Sequence, residues 1–284
     1  MHTSLDHIPE GKQQQILAVA EVIKEVAQPH KIILFGSYAT GNWVEDEYME
    51  NGIRYTYNSD YDFLVVTKDR KEKDYILSDK IVNKSKHITQ VTVNSLILEL
   101  DYVNEGLRIG QYFFTDIVRE GILLHDSGET VFEEAKELSR EEQKEISEGY
   151  YKEWFGTANV FLNVAQDLLS KSEFKIGVFQ LHQPAERFYH TMLLVFTGYK
   201  PKTHALEKLR AFTKPYSKDL FLLFPVEDST EEAHLFDLLK RGYIDARYKH
   251  DYAITERELT TLIEKVKHMA TTVETTCSRH LVSL

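Results

Sequence analysis

Apolar and polar positions follow two different rhythms along this chain, and the change falls near residue 130. Residues 15–27 (QILAVAEVIKEVA) repeat apolar positions at helical spacing, which predicts a helix closed by Pro29. KIILFG, a β-branched and aromatic run, predicts a strand ending at Gly36. DFLVVT (62–67) is almost continuously apolar, as suits a strand covered on both faces, and stops at the charged cluster KDRKEKD. ITQVTVNSLI (88–97) is a third, weaker strand. Helical periodicity resumes over 96–108 and 113–119, before Gly121 and the turn HDSGE (125–129). Residues 1–130 therefore read as α/β, with three or more strands and flanking helices.

In residues 131–284 the strand signal fades. Trp154, Phe155, Ala158, Phe161, Leu162, Ala165, Leu168 and Leu169 form one apolar stripe at spacings of three and four. A second stripe, Phe179 to Phe196, stops at Gly198 with Pro201 just beyond. Pro184 inside it predicts a kink or a split into two helices. Shorter amphipathic pieces at 205–212 and 229–240 precede a last long one from Leu259 to Val273. Four or five antiparallel helices predict an all-α bundle. The acidic stretch 133–149 is either a linker or the exposed start of the first bundle helix.

Composition narrows the setting. With 42% hydrophobic and 28% charged residues, the chain of 284 residues is expected to fold as globular domains. No apolar run approaches the roughly 20 residues that cross a bilayer, and MHTSLDHIPEGKQQQ has no apolar signal core, so a cytoplasmic protein without a membrane partner is expected. One cysteine, Cys277, excludes an internal disulfide framework. The net charge of −11 works against stable binding of nucleic acid, which needs a basic face to displace counterions.

Candidate chemistry concentrates at a Gly36-Ser37 turn after the first strand and an Asp60-Tyr61-Asp62 segment entering the second. Gly36 permits close approach of backbone to phosphate, and Ser37 offers a hydroxyl and an N–H at a strand-to-helix turn. Two aspartates at i and i+2 on a strand point to one side, where they can hold Mg²⁺ or Mn²⁺ beside a triphosphate. A Gly-Ser turn or a D-x-D alone is usually structural. Attached to two neighbouring strands, the pair is far more specific.

LFGSYATG followed by SDYDFLVV resembles the signature of the minimal nucleotidyltransferases of the DNA polymerase β-like superfamily, and VNEGLRIGQYFFTDIVREGILLHDSG resembles the end of that domain. HQPAERFYHTMLLVFTGYKPKTHAL (182–206) and LLKRGYIDARYKHDYAIT (238–255) are similar to a HEPN domain, the helical bundle that accompanies such nucleotidyltransferases. The kanamycin nucleotidyltransferases share the general plan. The resemblance implies an α+β nucleotidyltransferase fold, a mixed sheet with flanking helices, over 1–130 and an all-α HEPN-like bundle over 131–284. It also implies Mg-dependent transfer of a nucleoside monophosphate, AMP, from ATP or another nucleoside triphosphate to a hydroxyl acceptor, either a small molecule or a protein. Gly36 and Ser37 would bind the nucleotide, Asp60 and Asp62 the metal, and a homodimer fits the resembling proteins.

Departures from the pattern carry equal information. Thr40 stands where many relatives have arginine, and the segment from Asn42 to Asn58 is a long insertion rich in acids and aromatics, read as a surface hairpin. Active relatives add a third carboxylate from a neighbouring strand. Here that strand carries Thr92 and Asn94, while Glu99 and Asp101 fall on the helix that follows. The alternative function is thus a weak or inactive nucleotide-binding module that regulates the HEPN half, in the manner of a toxin–antitoxin pair. RNA-cleaving HEPN domains separate arginine and histidine by four to six residues; Arg247 and His250, like Arg187 and His190, are separated by two. Glu186, Arg247, Tyr248 and His250 are candidate acceptor-site residues, against a structural reading in which Glu186, Arg187 and His190 satisfy one another inside the bundle. The remaining histidines, His182 and His204 among them, lack metal-site spacing and read as core or solvent residues.

Overall fold

The computed structural model describes residues 1–50, 53–68, 72–227 and 229–284, with the side chains of 46–50 and 53–57 outside the description. The chain divides into two compact units, Met1–Glu47 with Thr56–Glu137, and Tyr48–Tyr55 with Leu138–Leu284. No helix among the described residues is long and apolar enough to cross a membrane.

The first unit is built on a four-stranded mixed sheet. Its strands are β1 (Lys31–Phe35), β4 (Tyr61–Thr67), β5 (Val93–Glu99) and β6 (Ile122–Asp126), in the order β5-β4-β1-β6. β4 runs antiparallel to β1 and parallel to β5, and β1 runs antiparallel to β6. Between β1 and β4 lie the single turn α2 (Ser37–Thr40) and a separate two-stranded ribbon, β2 (Glu45–Glu50) with β3 (Ile53–Asn58). The insertion is therefore a hairpin, closed at its base by Val44 and Ser59 (2.8 Å). Apart from Trp43 and Glu45, the acid and aromatic side chains that distinguish it lie outside the described residues, as do 69–71 of the charged cluster.

Alternation along the strands explains why β4 is apolar throughout. Ile32, Leu34, Tyr61, Phe63 and Val65 pack with Ile16, Val19, Ala20 and Ile23 of α1 (Glu10–Ala27) and Leu77 and Ile81 of α3 (Asp74–Ser85). Residues of the other parity turn the opposite way. There α4 (Leu100–Arg108) contacts β4 and β5 while α5 (Tyr112–Glu120) contacts β1, with Phe113 edge-on to Phe35 at 5.7 Å. All seven residues of β4 are buried. Asp62 shares the parity of Leu64 and Val66, so its carboxylate lies on the α4–α5 side.

Several boundaries differ from the sequence expectation. The third strand is 93–99, not 88–97, and helix α4 begins at Leu100, so residues 96–99 are strand. Helix α3 and strand β6 were not expected. DYILSDKIVNKS is mostly polar, with few apolar positions to reveal a helix, and ILLHD is short and runs into the SG turn.

The second unit is all-α. Helix α6 (Arg140–Tyr150) starts on a capping box between Ser139 and Glu142, so 133–149 is extended linker first and helix afterwards. A π-helical turn, Tyr151–Phe155, joins it to α7 (Gly156–Ser170). Then come α8 (Phe174–Thr197), α9 (Leu206–Thr213), α10 (Lys218–Leu222), α11 (Thr230–Arg241), α12 (Asp245–Tyr248) and α13 (Glu256–Ser283). Helix α8 runs unbroken through Pro184, so the stretch is not split into two helices. It is the hub of the bundle: Val178, Leu181, Ala185, Phe188, Met192 and Val195 are all fully buried. Neighbours on every side hold the helix together where proline removes one backbone hydrogen bond.

Phe188 sits at that hub with no exposed surface. Phe188→Ala is expected to destabilise the bundle by about 3–5 kcal/mol, read as a lower urea midpoint by far-UV circular dichroism.

Candidate functional site

β1 delivers Gly36, and β4 delivers the aspartates. Phe35 pairs with Asp62 across the antiparallel ladder, so the turn after β1 lies beside the start of β4. Gly36 has φ 74°, a left-handed conformation open to glycine at little cost. A Cβ placed on it would sit 2.9 Å from Oδ2 of Asp62. The carboxylate thus faces the glycine bend directly. α2 is a single turn, so what it can offer an anion is the Ser37 hydroxyl and local N–H groups rather than a helix dipole. Tyr38 holds the turn from beneath, edge-on to Tyr61 at 4.7 Å and stacked on Trp43 at 5.5 Å.

Asp60 and Asp62 are 8% and 9% exposed, and two like charges so buried require polar partners. Asn94 supplies one to each. β5 is parallel to β4 with Asp62 opposite Asn94, and the Asn94 amide donates to Asp62 Oδ1 (2.9 Å) and Asp60 Oδ2 (3.3 Å). The position on the neighbouring strand that faces both aspartates is therefore occupied by a carboxamide rather than a third acid. Glu99 cannot take its place. It closes β5 on the opposite parity, about 16 Å further along at roughly 3.3 Å per residue, and is the N-cap of α4 rather than a residue within it. Asp101 lies in the first turn of α4.

The donor set fits one hard divalent ion: two carboxylates on one side of a strand and an amide whose oxygen is a neutral ligand. Among the described residues, no three His, Cys, Asp or Glu side chains group in a way that holds a metal. The protein itself thus offers two acidic ligands here.

In the bundle, His182, Glu186 and His190 recur at i, i+4 on α8 and share a face. His204, before α9, donates from Nδ1 to the Glu186 carboxylate (3.0 Å). His182 Nε2 and His190 Nδ1 face the same carboxylate at 3.6 and 3.8 Å, beyond hydrogen-bond reach. Burial raises the carboxyl pKa of Glu186, yet the nearby His182 imidazole and the hydrogen bond from His204 outweigh it and hold the group below its usual range. Burial pushes His190 down to about 4. Arg187 takes no part. As the next residue on the helix it turns away, lies over Trp154 (4.8 Å) and Phe161 (5.3 Å), and donates to Thr157. The expected Glu186–Arg187–His190 trio is corrected to Glu186 with three histidines. The signal was the H-x3-E-x3-H spacing; His204 comes from beyond the helix, and no local pattern marks it.

Tyr243 stacks on His182 (4.9 Å) and His204 (5.5 Å), and Arg247 lies over the rings of Tyr243, Phe179 and Tyr248, each at 4.9 Å. Arg247 Nε also donates to the Tyr243 carbonyl (2.8 Å). Of the four candidate acceptor-site residues, Glu186 and Arg247 are thus linked through Tyr243. Tyr248 touches the cluster through Arg247 and is 71% exposed, while His250 is exposed and joins none of these contacts.

This helical arrangement belongs to a recognised class. Residues 151–276 match the HEPN domain family, so the second unit contains a HEPN domain that spans the π-helical turn, the Glu186 cluster and most of α13. No curated protein matches the chain.

Two outcomes follow from this geometry. Gly36→Ala is expected to cost about 1–3 kcal/mol through its backbone conformation alone (φ 74°, ψ −151°), and to drive Asp62 from the bend; a thermal melt reads the first effect. His190 binds its proton more weakly folded than unfolded, so the unfolded state gains protons first as pH falls. Stability is expected to be full above pH 6.5 and to decline towards pH 4, by on the order of 3 kcal/mol. His190→Gln should make that limb of the urea stability–pH curve shallower, leaving what His280 and, at lower pH, Glu186 contribute.

Proposed function

We propose that the first unit binds a nucleoside triphosphate together with one divalent ion, and does so without efficient nucleotidyl transfer, as a nucleotide-responsive companion to the HEPN domain. The observation that carries this reading is the meeting of the Gly36 bend with the Asp62 carboxylate. Phosphate approaches the backbone at Gly36 and the Ser37 hydroxyl, while Asp60 and Asp62 hold the ion. When bound, that ion neutralises phosphate charge and bridges protein to nucleotide.

Chemistry is where the site falls short. Transfer would join an acceptor oxygen to the α-phosphorus, break the bond to the β-phosphate oxygen and release pyrophosphate. The acceptor's proton must go to a base, and the carboxamide of Asn94 is not one. AMP transfer to a hydroxyl acceptor stands as the second reading, favoured by the way Asp60 and Asp62 project together. The Glu186–Tyr243–Arg247 cluster is the acceptor candidate within it, and the resemblance to kanamycin nucleotidyltransferases belongs to the same reading.

Calorimetry with each of four nucleoside triphosphates and Mg²⁺ tests the proposal. Binding is expected in the native protein, with the triphosphate intact after prolonged incubation, and binding weakened roughly tenfold or more in Asp60→Ala and Asp62→Ala. No binding in any case overturns it. Pyrophosphate release at about 1 per second or faster, lost in Asp60→Ala, would establish the second reading instead.

A further inference from the structure

We infer that Asn94 is a positioning residue that clips the two aspartates together and limits the site to a single divalent ion, an inference that rests on the nucleotide-binding reading above. A carboxamide nitrogen carries two hydrogens, and here each carboxylate lies within reach of it, at 2.9 and 3.3 Å. Buried carboxylates side by side repel, and one of such a pair ordinarily takes up a proton. The Asn94 amide offers donors to both without adding a charge of its own. It does at this station part of what a cation does.

The supply of protein ligands then decides how many ions enter. Asp60 and Asp62 present two negative charges, which one Mg²⁺ or Mn²⁺ balances, with the nucleotide phosphates completing the shell. Two-ion sites clamp both the attacking and the leaving oxygen about 3.5–4 Å apart and need ligands for each metal. No third acid stands at the β5 position opposite Asp62, so a second ion would rest on phosphate and water. Turned over about its Cβ–Cγ bond, Asn94 presents Oδ1 to the one ion as a neutral ligand. The clip opens without change of charge. Asn94→Asp removes the donors and supplies the missing acid at once, converting a one-ion station into a two-ion station.

Manganese counting by electron paramagnetic resonance tests this on the full chain, with a saturating α,β-methylene ATP analogue whose retention is measured separately by equilibrium dialysis. One Mn²⁺ per chain is expected in the native protein and two in Asn94→Asp. Without nucleotide, Asn94→Asp should melt lower than the native protein and recover on adding Mn²⁺, with a larger rise in Tm than the native chain shows. Asn94→Ser, neutral and shorter, should melt lower but keep the count of one, which separates loss of a structural hydrogen bond from control of ion number. Two ions in the native protein overturn the inference outright, whether or not Asn94→Asp folds. One ion in folded Asn94→Asp overturns it as well. If the analogue is not retained, the nucleotide-binding reading falls. The clip is then judged on ligand-free protein, where equal Mn²⁺ responses of the native chain and Asn94→Asp overturn it.

Discussion

Two carboxylates held together at the buried end of a strand are the constraint on which the first unit turns. Asp60 and Asp62 are almost as inaccessible as the apolar residues that follow them in β4. An arrangement of that kind is costly unless donors surround it, and the surrounding strands are placed to supply room and partners. β1 contributes a glycine with no side chain to collide with Asp62, and β5 contributes the Asn94 amide. Sheet order and local chemistry are thus one problem. The glycine is beside the acid because β1 pairs antiparallel with β4, and the asparagine is beside it because β5 pairs parallel.

The HEPN unit solves a similar problem differently. Glu186 is a carboxylate inside a helical bundle, and its partners are imidazoles rather than amides. The 3.6-residue period places His182 and His190 a turn away on either side, and His204 closes the outer flank. Tyr243 then covers two of the imidazoles and carries Arg247 on its face. Arg187, one residue from Glu186, lies over Trp154 and Phe161 instead and meets the cluster only through Trp154, which is edge-on to His190 at 5.6 Å. Adjacent charged residues on a helix are therefore poor evidence of an ion pair, because their side chains leave the axis about 100° apart.

Much of this was legible in the chain itself, and the failures have physical causes. The runs KIILFG and DFLVVT identify central strands because both faces of each are covered, and that condition leaves an unbroken apolar signature. Strand β6 carries a weaker one: it is short and ends in a turn. The end of β5 was read as helix because LILELDYV satisfies both periods, and hydrogen bonding to β4 decides in favour of strand as far as Glu99. Proline at 184 argued for a break, yet burial on all sides of α8 overrides that local preference. The Gly36, Ser37, Asp60 and Asp62 pattern was visible in sequence, whereas the pairing of Asn94 with both acids depends on parallel register, which no local pattern encodes.

Register also bears on how a site of this kind loses chemistry without losing architecture. Replacing a carboxylate by a carboxamide at one position keeps size and shape, so the sheet and the neighbouring acids need not move. What changes is the direction of hydrogen bonding: a group that would accept protons and ligate metal now donates to both neighbours. The buried pair needs donors when no cation is present, and the carboxamide meets that need. The same substitution removes the base that an acceptor hydroxyl requires. On the proposed reading, such a site keeps the Gly36 bend and both aspartates while lacking the group that would take up a proton, and binding would then outlast turnover.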